Sequence, residues 1–436
     1  MDSKGVNIND ATRFWYPLDN AAKIYPAIMN EEVTAVFRIT VVLKHPVRIE
    51  PFMKALSIAE KRFPYFRVKL KKGFFWYYLE QTSLHIPVKA DDTMPCRSFG
   101  TKGLLIRLLV AQNRISAEFS HVLTDGTGAL EFLRTLLILY FQKSGISLPA
   151  GFKCVNPDDT LLEEEYEDSF NRYFQEDIPP MFKRSKAFHL PFQLQTAPRF
   201  TTRQVFLSLE DIRNQAAGKG VSINDYLVSV YLFVLQEIYK ETGILSRFKR
   251  YKTIRIQVPV NLRNLFPSVT MRNFSLFVMP EIDLRLGHYT FDEIIKTVYH
   301  QIRLETDEKL INKNISKNVG SEKKIYVRSM PLFLKSLILR QKYYSRGVSQ
   351  YSGVVTNMGK PTFPPEMENM IDYFVFTPPP PNRMLKISCG IIGFRDSLVL
   401  SFGNISKSTV LEDKFLKYLR DQGIETHYDN NKLVDK

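Results

Sequence analysis

A chain of 436 residues is too long for one ordinary hydrophobic core, so two domains or one large double domain are expected. Its hydrophobic content of 44% and aromatic content of 13% are those of a globular protein and exclude a disordered chain. The 60 Lys and Arg residues against 45 Asp and Glu leave a net charge of +15, which favours partners with phosphate or another anionic group. A basic surface that is merely solvated is the alternative.

The sequence offers no targeting or membrane-spanning signal. No apolar run reaches the length of a membrane span, and MDSKGVNINDATRFW lacks a basic segment followed by an apolar one. The three cysteines, Cys96, Cys154 and Cys389, are odd in number and widely spaced, so they predict neither a disulfide framework nor a zinc site. We therefore expect a cytoplasmic protein in a reducing compartment, with peripheral membrane contact left open.

In chain order, the N-terminal half is predicted at residues 1–160. Its hydrophobic patterns predict a strand, a helix, two strands, a hairpin and a helix, in the segments EEVTAVFRITVVLKHPV, IEPFMKALSIAEKRFP, FRVKLKK, FWYYLEQ, LLIRLLVAQNRISAEFSH and GALEFLRTLLILYFQK. The hairpin is expected to turn near Gln112 and Asn113. Residues 161–195 show weak periodicity and are predicted to be a linker.

The C-terminal half is predicted at residues 196–436. Its patterns predict a strand, a helix, a strand, a helix, a strand pair and a final helix, in RFTTRQVFLSL, VSINDYLVSVYLFVLQEIYKE, KTIRIQVPVNLR, TFDEIIKTVYHQIRLE, MLKISCGIIGF with SLVLSFGN, and LEDKFLKYLRDQG. Both halves mix helices with strands that are mostly joined as hairpins. This arrangement predicts the α+β class.

One strand-to-helix junction concentrates polar side chains. The alternating strand from Ile115 ends at His121, and Asp125 and Gly126 follow before an apolar helix begins. Alternation places His121 on the apolar face of the strand, at the rim of a buried region where a cavity could open. Gly126 would permit a positive φ or the close approach of another group. A neutral imidazole at this point could act as a general base toward an alcohol, amine or thiol.

Several interpretations of this junction compete. Asp125 could orient the histidine as in a catalytic triad, or it could point away and bind an arginine elsewhere. The same spacing recurs at His288 and Asp292, where Thr290 is expected to cap a helix, so the spacing alone does not predict a site. A metal pair on one helix face lacks an evident third ligand, and TDGTG lacks the Gly-Lys-Ser/Thr ending of a phosphate loop.

The segment SHVLTDGTGALEFL resembles the His-x-x-x-Asp-Gly motif of the CoA-dependent acyltransferase superfamily. That superfamily includes chloramphenicol acetyltransferase, alcohol acetyltransferases and the condensation domains of peptide synthetases. VPVNLRNLFPSVTMRNF resembles the segment in which these proteins carry Pro-x-Asn-x-Arg, and GVVTNMGKP resembles the Ser-Asn-x-Gly motif of alcohol acetyltransferases and their bacterial relatives. PLDNAAKIYP lies where those relatives begin. The order and spacing agree from about residue 13 to 420.

The resemblance implies two chloramphenicol acetyltransferase-like α/β sandwich halves with a tunnel between them. It also implies roles for six residues: His121 as general base, Asp125, Gly126 and Arg263 as supports of the catalytic loop, and Asn357 and Gly359 as substrate-binding residues. Asn357 could equally be a turn residue before Gly359, and Arg263 could be an ordinary surface arginine after a strand.

The implied activity is the transfer of an acyl group, acetyl by preference, from a CoA thioester to an alcohol. Acyl-CoA would be a cosubstrate, with no bound cofactor and no metal, and the protein would be a monomer. Ser120 stands where condensation domains usually carry a second histidine, and the plant Asp-Phe-Gly-Trp-Gly motif is absent. The alternative is a non-catalytic protein of this fold that binds a carrier protein or a metabolite. Nucleic-acid binding is suggested by charge alone, without a supporting motif.

Overall fold

The computed structural model describes residues 14–91, 94–100, 103–176, 178–179, 184–243 and 250–428. The strands of this part of the chain are β1 (Trp15–Pro17), β2 (Val36–Leu43), β3 (Val68–Lys72), β4 (Tyr77–Gln81), β5 (Val88–Ala90), β6 (Ile106–Ala111), β7 (Arg114–Ser120), β8 (Thr201–Ser208), β9 (Thr253–Asn261), β10 (Ser275–Val278), β11 (Glu281–Asp283), β12 (Gly353–Asn357), β13 (Ile371–Thr377), β14 (Ile387–Phe394), β15 (Ser397–Asn404) and β16 (Thr426–Tyr428).

Helices are interspersed with these strands along the whole chain. They are α1 (Tyr25–Ile28), α2 (Ile49–Arg62), α3 (Gly126–Lys143), α4 (Ser169–Arg172), α5 (Leu209–Gly218), α6 (Ile223–Glu241), α7 (Phe291–Glu305), α8 (Glu308–Lys323), α9 (Ile325–Arg328), α10 (Leu332–Lys342), α11 (Pro365–Glu368) and α12 (Val410–Asp421). The predicted α+β class is confirmed, with two sheet-rich halves.

The sheet of the N-terminal half has the strand order β13-β2-β7-β6-β5. Strand β2, the second in this order, is buried along its whole length, and α2 and α3 pack together over the same hydrophobic core. The outer strand β13 comes from the C-terminal part of the chain and pairs antiparallel with β2, with Ile39 opposite Phe376. The division of the chain at residues 161–195 stays a prediction, and β13 is a strand that crosses it.

The sheet of the C-terminal half has the order β10-β9-β12-β14-β15-β8-β16, and β11 also pairs with β9. A second core lies between this sheet and the helices α5, α6, α7 and α12. β12 runs parallel to both of its neighbours, β9 and β14, whereas the other pairs are antiparallel. The ends of β9 and β12 carry the two motifs that the sequence placed in this half.

A third, small sheet has the order β1-β4-β3. Within the described ranges, no single helix is long and apolar enough to cross a membrane. The pair α5–α6, bent by 82°, meets that test by length and composition alone. Most residues of α6 are buried in the core of the C-terminal sheet.

Candidate active site

His121 lies directly after the end of β7, the central strand of the N-terminal sheet. Its backbone N–H donates to the carbonyl of Ala35 at 2.8 Å, which continues the pairing of β7 with the chain before β2. The imidazole stacks on Tyr25 with ring centroids 5.2 Å apart, and Phe37 lies against it at 4.6 Å. The strand therefore delivers the histidine into an aromatic environment.

The environment of His121 keeps its ring uncharged. Burial lowers the pKa of His121 to about 4, and the nearby charge of Asp125 opposes this shift only in part. Nδ1 is buried without a hydrogen-bond partner among the described residues. The residue as a whole keeps partial exposure. At neutral pH the site therefore presents a neutral imidazole on a partly exposed residue.

Asp125 points away from His121 and binds an arginine, which is one of the two orientations that the sequence left open. Its carboxylate accepts hydrogen bonds from the backbone N–H groups of Gly128 at 3.0 Å and Phe274 at 2.8 Å. It also forms a two-point ion pair with Arg263, with N–O distances of 2.9 and 3.3 Å. Among the described residues no hydrogen bond joins this carboxylate to the ring of His121. Asp125 thus caps α3 and anchors the loop.

Arg263 connects the end of β9 to this loop. Besides its ion pair, its guanidinium donates to the carbonyls of Thr270 at 2.9 Å and Arg272 at 2.6 Å, and to Asn261 Oδ1 at 3.1 Å. The side chain is 11% exposed. The Asp125 carboxylate is occupied by this guanidinium and by two backbone N–H groups. It is therefore not arranged to bind a metal ion together with His121.

A second polar link holds the loop from another side. Asn273 Nδ2 donates to the backbone carbonyl of His121 and to the carboxylate of Asp19, both at 3.0 Å. Asp19 is fully buried, which raises its pKa, and Arg272 at 3.4 Å opposes that rise. Asp19 also accepts from the N–H of Ala22 at 2.7 Å. Neither Asp19 nor Asn273 was predicted as a site residue, although both lie in motifs that the sequence offered.

Two glycines after the histidine allow close packing. Gly126 begins α3 and does not have a positive φ. Its small size instead allows the close approach of Met358, because a Cβ on Gly126 would lie 2.6 Å from Met358 Sδ. Gly128 is more tightly enclosed. A Cβ on it would lie 2.2 Å from the carbonyl oxygen of Met271 and 2.3 Å from Thr124 Oγ1. The sequence indicated Gly126 and missed Gly128.

Asn357 and Gly359 form a turn at the end of β12. Asn357 Oδ1 accepts from the N–H of Gly359 at 2.9 Å, and Gly359 has φ +73°, a conformation that favours glycine. Between them, Met358 donates its N–H to Ile391 and places its side chain against Gly126. The turn thus reaches the start of α3, while a role of its polar atoms in substrate binding stays a prediction.

The repeat of the spacing at His288 has a different environment. The side chain of His288 is 49% exposed, and its Nε2 lies 2.9 Å from Glu237. Asp292 pairs with Lys219 at 2.6 Å, and Thr290 forms the predicted capping box at the start of α7. This confirms the predicted helix start. The two His-x-x-x-Asp segments therefore differ in burial, partners and backbone conformation.

A separate depression of about 430 Å³ opens on the C-terminal half. Its lining combines residues near β8 with residues before and within α12: Gln195, Thr196, Thr201, Thr202, Arg203, Asn404, Ser406, Lys407, Thr409 and Glu412. None of these belongs to the loop of His121. We place the candidate active site at His121, where a neutral base, a capped loop and the sequence motifs meet.

No protein-family model matches the chain, and no curated protein matches it in sequence. Solved structures do match it. TRI101 of F. sporotrichioides, complexed with coenzyme A and T-2, is 11% identical with a TM-score of 0.60, covering 95% of this chain and 99% of that one. TRI3, a trichothecene 15-O-acetyltransferase from Fusarium sporotrichioides, is 10% identical with a TM-score of 0.59, covering 94% of each chain.

Peptide-synthetase domains share the same architecture. The epimerization domain of the third module of tyrocidine synthetase B is 11% identical with a TM-score of 0.55, covering 90% of this chain and 91% of that one. At these identities the likeness concerns the fold, and it extends over nearly the whole length of each protein. The chain therefore has the two-lobed, chloramphenicol acetyltransferase-like fold that is common to acetyltransferases of this kind and to peptide-synthetase domains.

Proposed function

We propose that this protein is an O-acyltransferase that moves an acyl group, acetyl by preference, from a CoA thioester to an alcohol. The observation that carries the proposal is the neutral imidazole of His121, which keeps partial exposure and stands on a loop that Asp125 and Arg263 anchor. The fold supports it, because a structure of this fold binds coenzyme A and another is named as a 15-O-acetyltransferase. The net charge of +15 suits a cosubstrate that carries phosphates.

In the proposed reaction, His121 takes the proton of the acceptor hydroxyl while its oxygen attacks the thioester carbonyl. A C–O bond forms and the carbonyl becomes a tetrahedral oxyanion. The C–S bond then breaks, and the imidazolium returns the proton to the departing thiolate. Such base catalysis contributes about 10²–10⁴-fold to the rate. The alcohol and the CoA thioester would meet in a tunnel between the halves, with Asn357 and Gly359 lining it.

Substitution of the base tests this proposal. His121→Ala should lower CoA release from acetyl-CoA with a panel of alcohols by about 10²-fold or more. His288→Ala is the matched control, because it has the same His-x-x-x-Asp spacing but a half-exposed ring, and it should keep the wild-type rate. Undiminished turnover by a folded His121→Ala variant would remove the base assignment.

The non-catalytic alternative predicts a different set of results. The wild-type protein would then bind acyl-CoA in calorimetry and yet release no CoA with any alcohol in the panel. The capped, doubly anchored loop around His121 favours the catalytic interpretation, since a protein that only binds a ligand has no need to hold an uncharged base in a fixed position.

A further inference from the structure

Two exposed apolar features lie together on one side of the protein. The tip of the β3–β4 hairpin carries two phenylalanines, and the outer face of α10 carries four large apolar residues. Phe74 is 73% exposed and Phe333 is 68% exposed. We define the docking surface as Phe74, Phe75, Phe333, Leu334, Leu337 and Ile338. Contiguous exposed residues of this size mark interaction sites, whereas scattered ones do not.

Hydrogen bonds join the hairpin and the helix into one surface. The N–H of Leu332 donates to the carbonyl of Phe74 at 2.9 Å. The ammonium of Lys335 donates to the carbonyl of Phe75 at 3.0 Å and lies 3.6 Å from the centre of the Trp76 ring. Lys335 is buried beneath the helix by these contacts. The apolar side chains are therefore held in place from below and point outward.

The helix α10 is apolar on the side that faces solvent. Its four exposed apolar residues fall within about 140° of the helix circumference at 3.6 residues per turn. The opposite side packs on α1. A helix at the surface of a soluble protein normally turns a polar face outward. An apolar outer face in this position is typical of helices that lie in the interfacial region of a bilayer.

The charge around the docking surface is predominantly positive, with Glu322 and Glu80 as the nearby acidic side chains. Residues 323–346 contain seven Lys and Arg and no Asp or Glu. Most of these side chains are exposed at the ends and flanks of α9 and α10. Exposed Lys72 adds a further positive charge beside the hairpin tip. An apolar face surrounded by basic residues complements an anionic lipid surface, which takes up the apolar groups and attracts the cations.

The docking surface is connected to the candidate active site by the short helix α1. α10 packs on α1, and Tyr25 of α1 stacks on the ring of His121. The short helix α1 therefore contacts both α10 and the ring of His121. A molecule that partitions into a bilayer under α10 would leave the lipid near the site where we propose acyl transfer.

We propose that the docking surface binds the face of an anionic lipid membrane, and that the acceptor is an alcohol that partitions into that membrane. The membrane contact stands on the exposed residues and their charge. The choice of acceptor rests on the proposed function, so the two parts are tested by separate measurements.

Vesicle flotation with the full chain tests the membrane contact. Wild-type protein should float with phosphatidylcholine vesicles containing about 30% phosphatidylglycerol and much less with phosphatidylcholine alone. The double variant Phe333→Ser, Leu337→Ser should need at least about tenfold more lipid for half-binding. The matched control is Leu286→Ser, Leu304→Ser, which changes two other exposed leucines and should bind as wild type. Circular dichroism would show that both variants are folded.

Several results would overturn the membrane contact. Wild-type protein that stays with the aqueous phase, or control and test variants that lose binding equally, would each do so. If the wild-type protein elutes as a dimer and the Phe333, Leu337 variant as a monomer, the surface is an interface between copies of the chain, and the membrane proposal fails.

Activity assays test the choice of acceptor separately. With a long-chain alcohol carried in anionic vesicles, the Phe333, Leu337 variant should turn over about tenfold more slowly than wild type. With a short water-soluble alcohol the two proteins should have equal rates. Equal loss with both alcohols would overturn the delivery of substrate from the membrane. Vesicle binding without turnover of any alcohol would contradict the proposed function and leave the membrane contact standing.

Discussion

Asn273 Nδ2 donates a hydrogen bond of 3.0 Å to the backbone carbonyl of His121. The same amide group donates to the buried carboxylate of Asp19, so that one side chain joins the segment before α1 to the loop of His121. Arg263 holds the other end of the loop through Asp125. The imidazole is thus positioned through the loop that carries it, from two sides.

Substitution of Asn273 should therefore affect turnover more than binding. Asn273→Ala removes the bond to the His121 carbonyl and leaves Asp19 with one donor fewer, so we expect kcat to fall about tenfold or more while KM changes little. Steady-state kinetics with acetyl-CoA measures this. Asn20→Ala is a suitable control, because its amide bonds to Glu322 away from the loop. A variant that changes KM alone would contradict the positioning role.

Loss of the Arg263 guanidinium should destabilise the protein. Arg263→Ala leaves the Asp125 carboxylate buried without its cation, and breaking a buried pair of this kind costs about 3–5 kcal/mol of unfolding free energy. Urea denaturation measures the change. Arg285→Ala, which breaks the exposed pair with Asp283, should leave the stability near that of the wild-type protein. Equal stabilities of the two variants would show that Asp125 does not depend on Arg263.

The two glycines of the loop should differ in their tolerance of a methyl group. Gly128→Ala brings a Cβ onto the backbone carbonyl of Met271, which cannot move without disturbing its own chain, and should cost about 3 kcal/mol or more. Gly126→Ala meets only the flexible end of Met358 and should cost less. Thermal melting of both variants compares them. The reverse order would contradict the packing described around α3.

The activity should persist to unusually low pH. Because burial lowers the pKa of His121 to about 4, the ring stays neutral and able to accept a proton well below the ordinary pKa of 6.5. The acid limb of kcat/KM should accordingly have its midpoint near pH 4, provided that the protein remains folded there. A midpoint near 6.5 would show that the ring is solvated in the free protein.

The lowered pKa of His121 also makes the stability of the folded protein sensitive to acid. The unfolded chain takes up a proton on this histidine below about pH 6.5, whereas the folded protein does so only near pH 4. The stability that depends on the neutral ring is therefore complete above pH 6.5 and is lost as the pH falls from 6.5 to 4. His121→Ala should unfold with a weaker pH dependence across this window in urea titrations.

Elements with strong local patterns could be predicted from the sequence. The hairpin turn at Gln112 and Asn113 lies between β6 and β7, α7 begins after its predicted cap Thr290, and α6 lies in its predicted segment. Their periodic apolar residues face a core, which makes the pattern visible. The loop from His121 to Asp125 was found for the same reason, since its strand alternates and a glycine turn follows.

Other features depend on contacts that the sequence does not reveal. Asp19 and Asn273 are 254 residues apart, and neither is distinctive until the fold joins them. The helix α10 was not predicted. Its apolar residues include both buried and solvent-exposed positions, so the sequence does not show the helical periodicity of an amphipathic helix. Gly128 was missed because its need for space comes from Met271, a residue of another segment.

The pairing of β2 with β13 has a consequence for how the protein is made. On a ribosome, β2 emerges more than three hundred residues before the strand that covers its edge, as the pairing of Ile39 with Phe376 requires. Until then the N-terminal sheet carries an open row of backbone donors and acceptors, which other nascent chains can join. This sheet is therefore completed only late in translation, and chaperones that shield strand edges should improve the yield of the full chain more than slower synthesis alone.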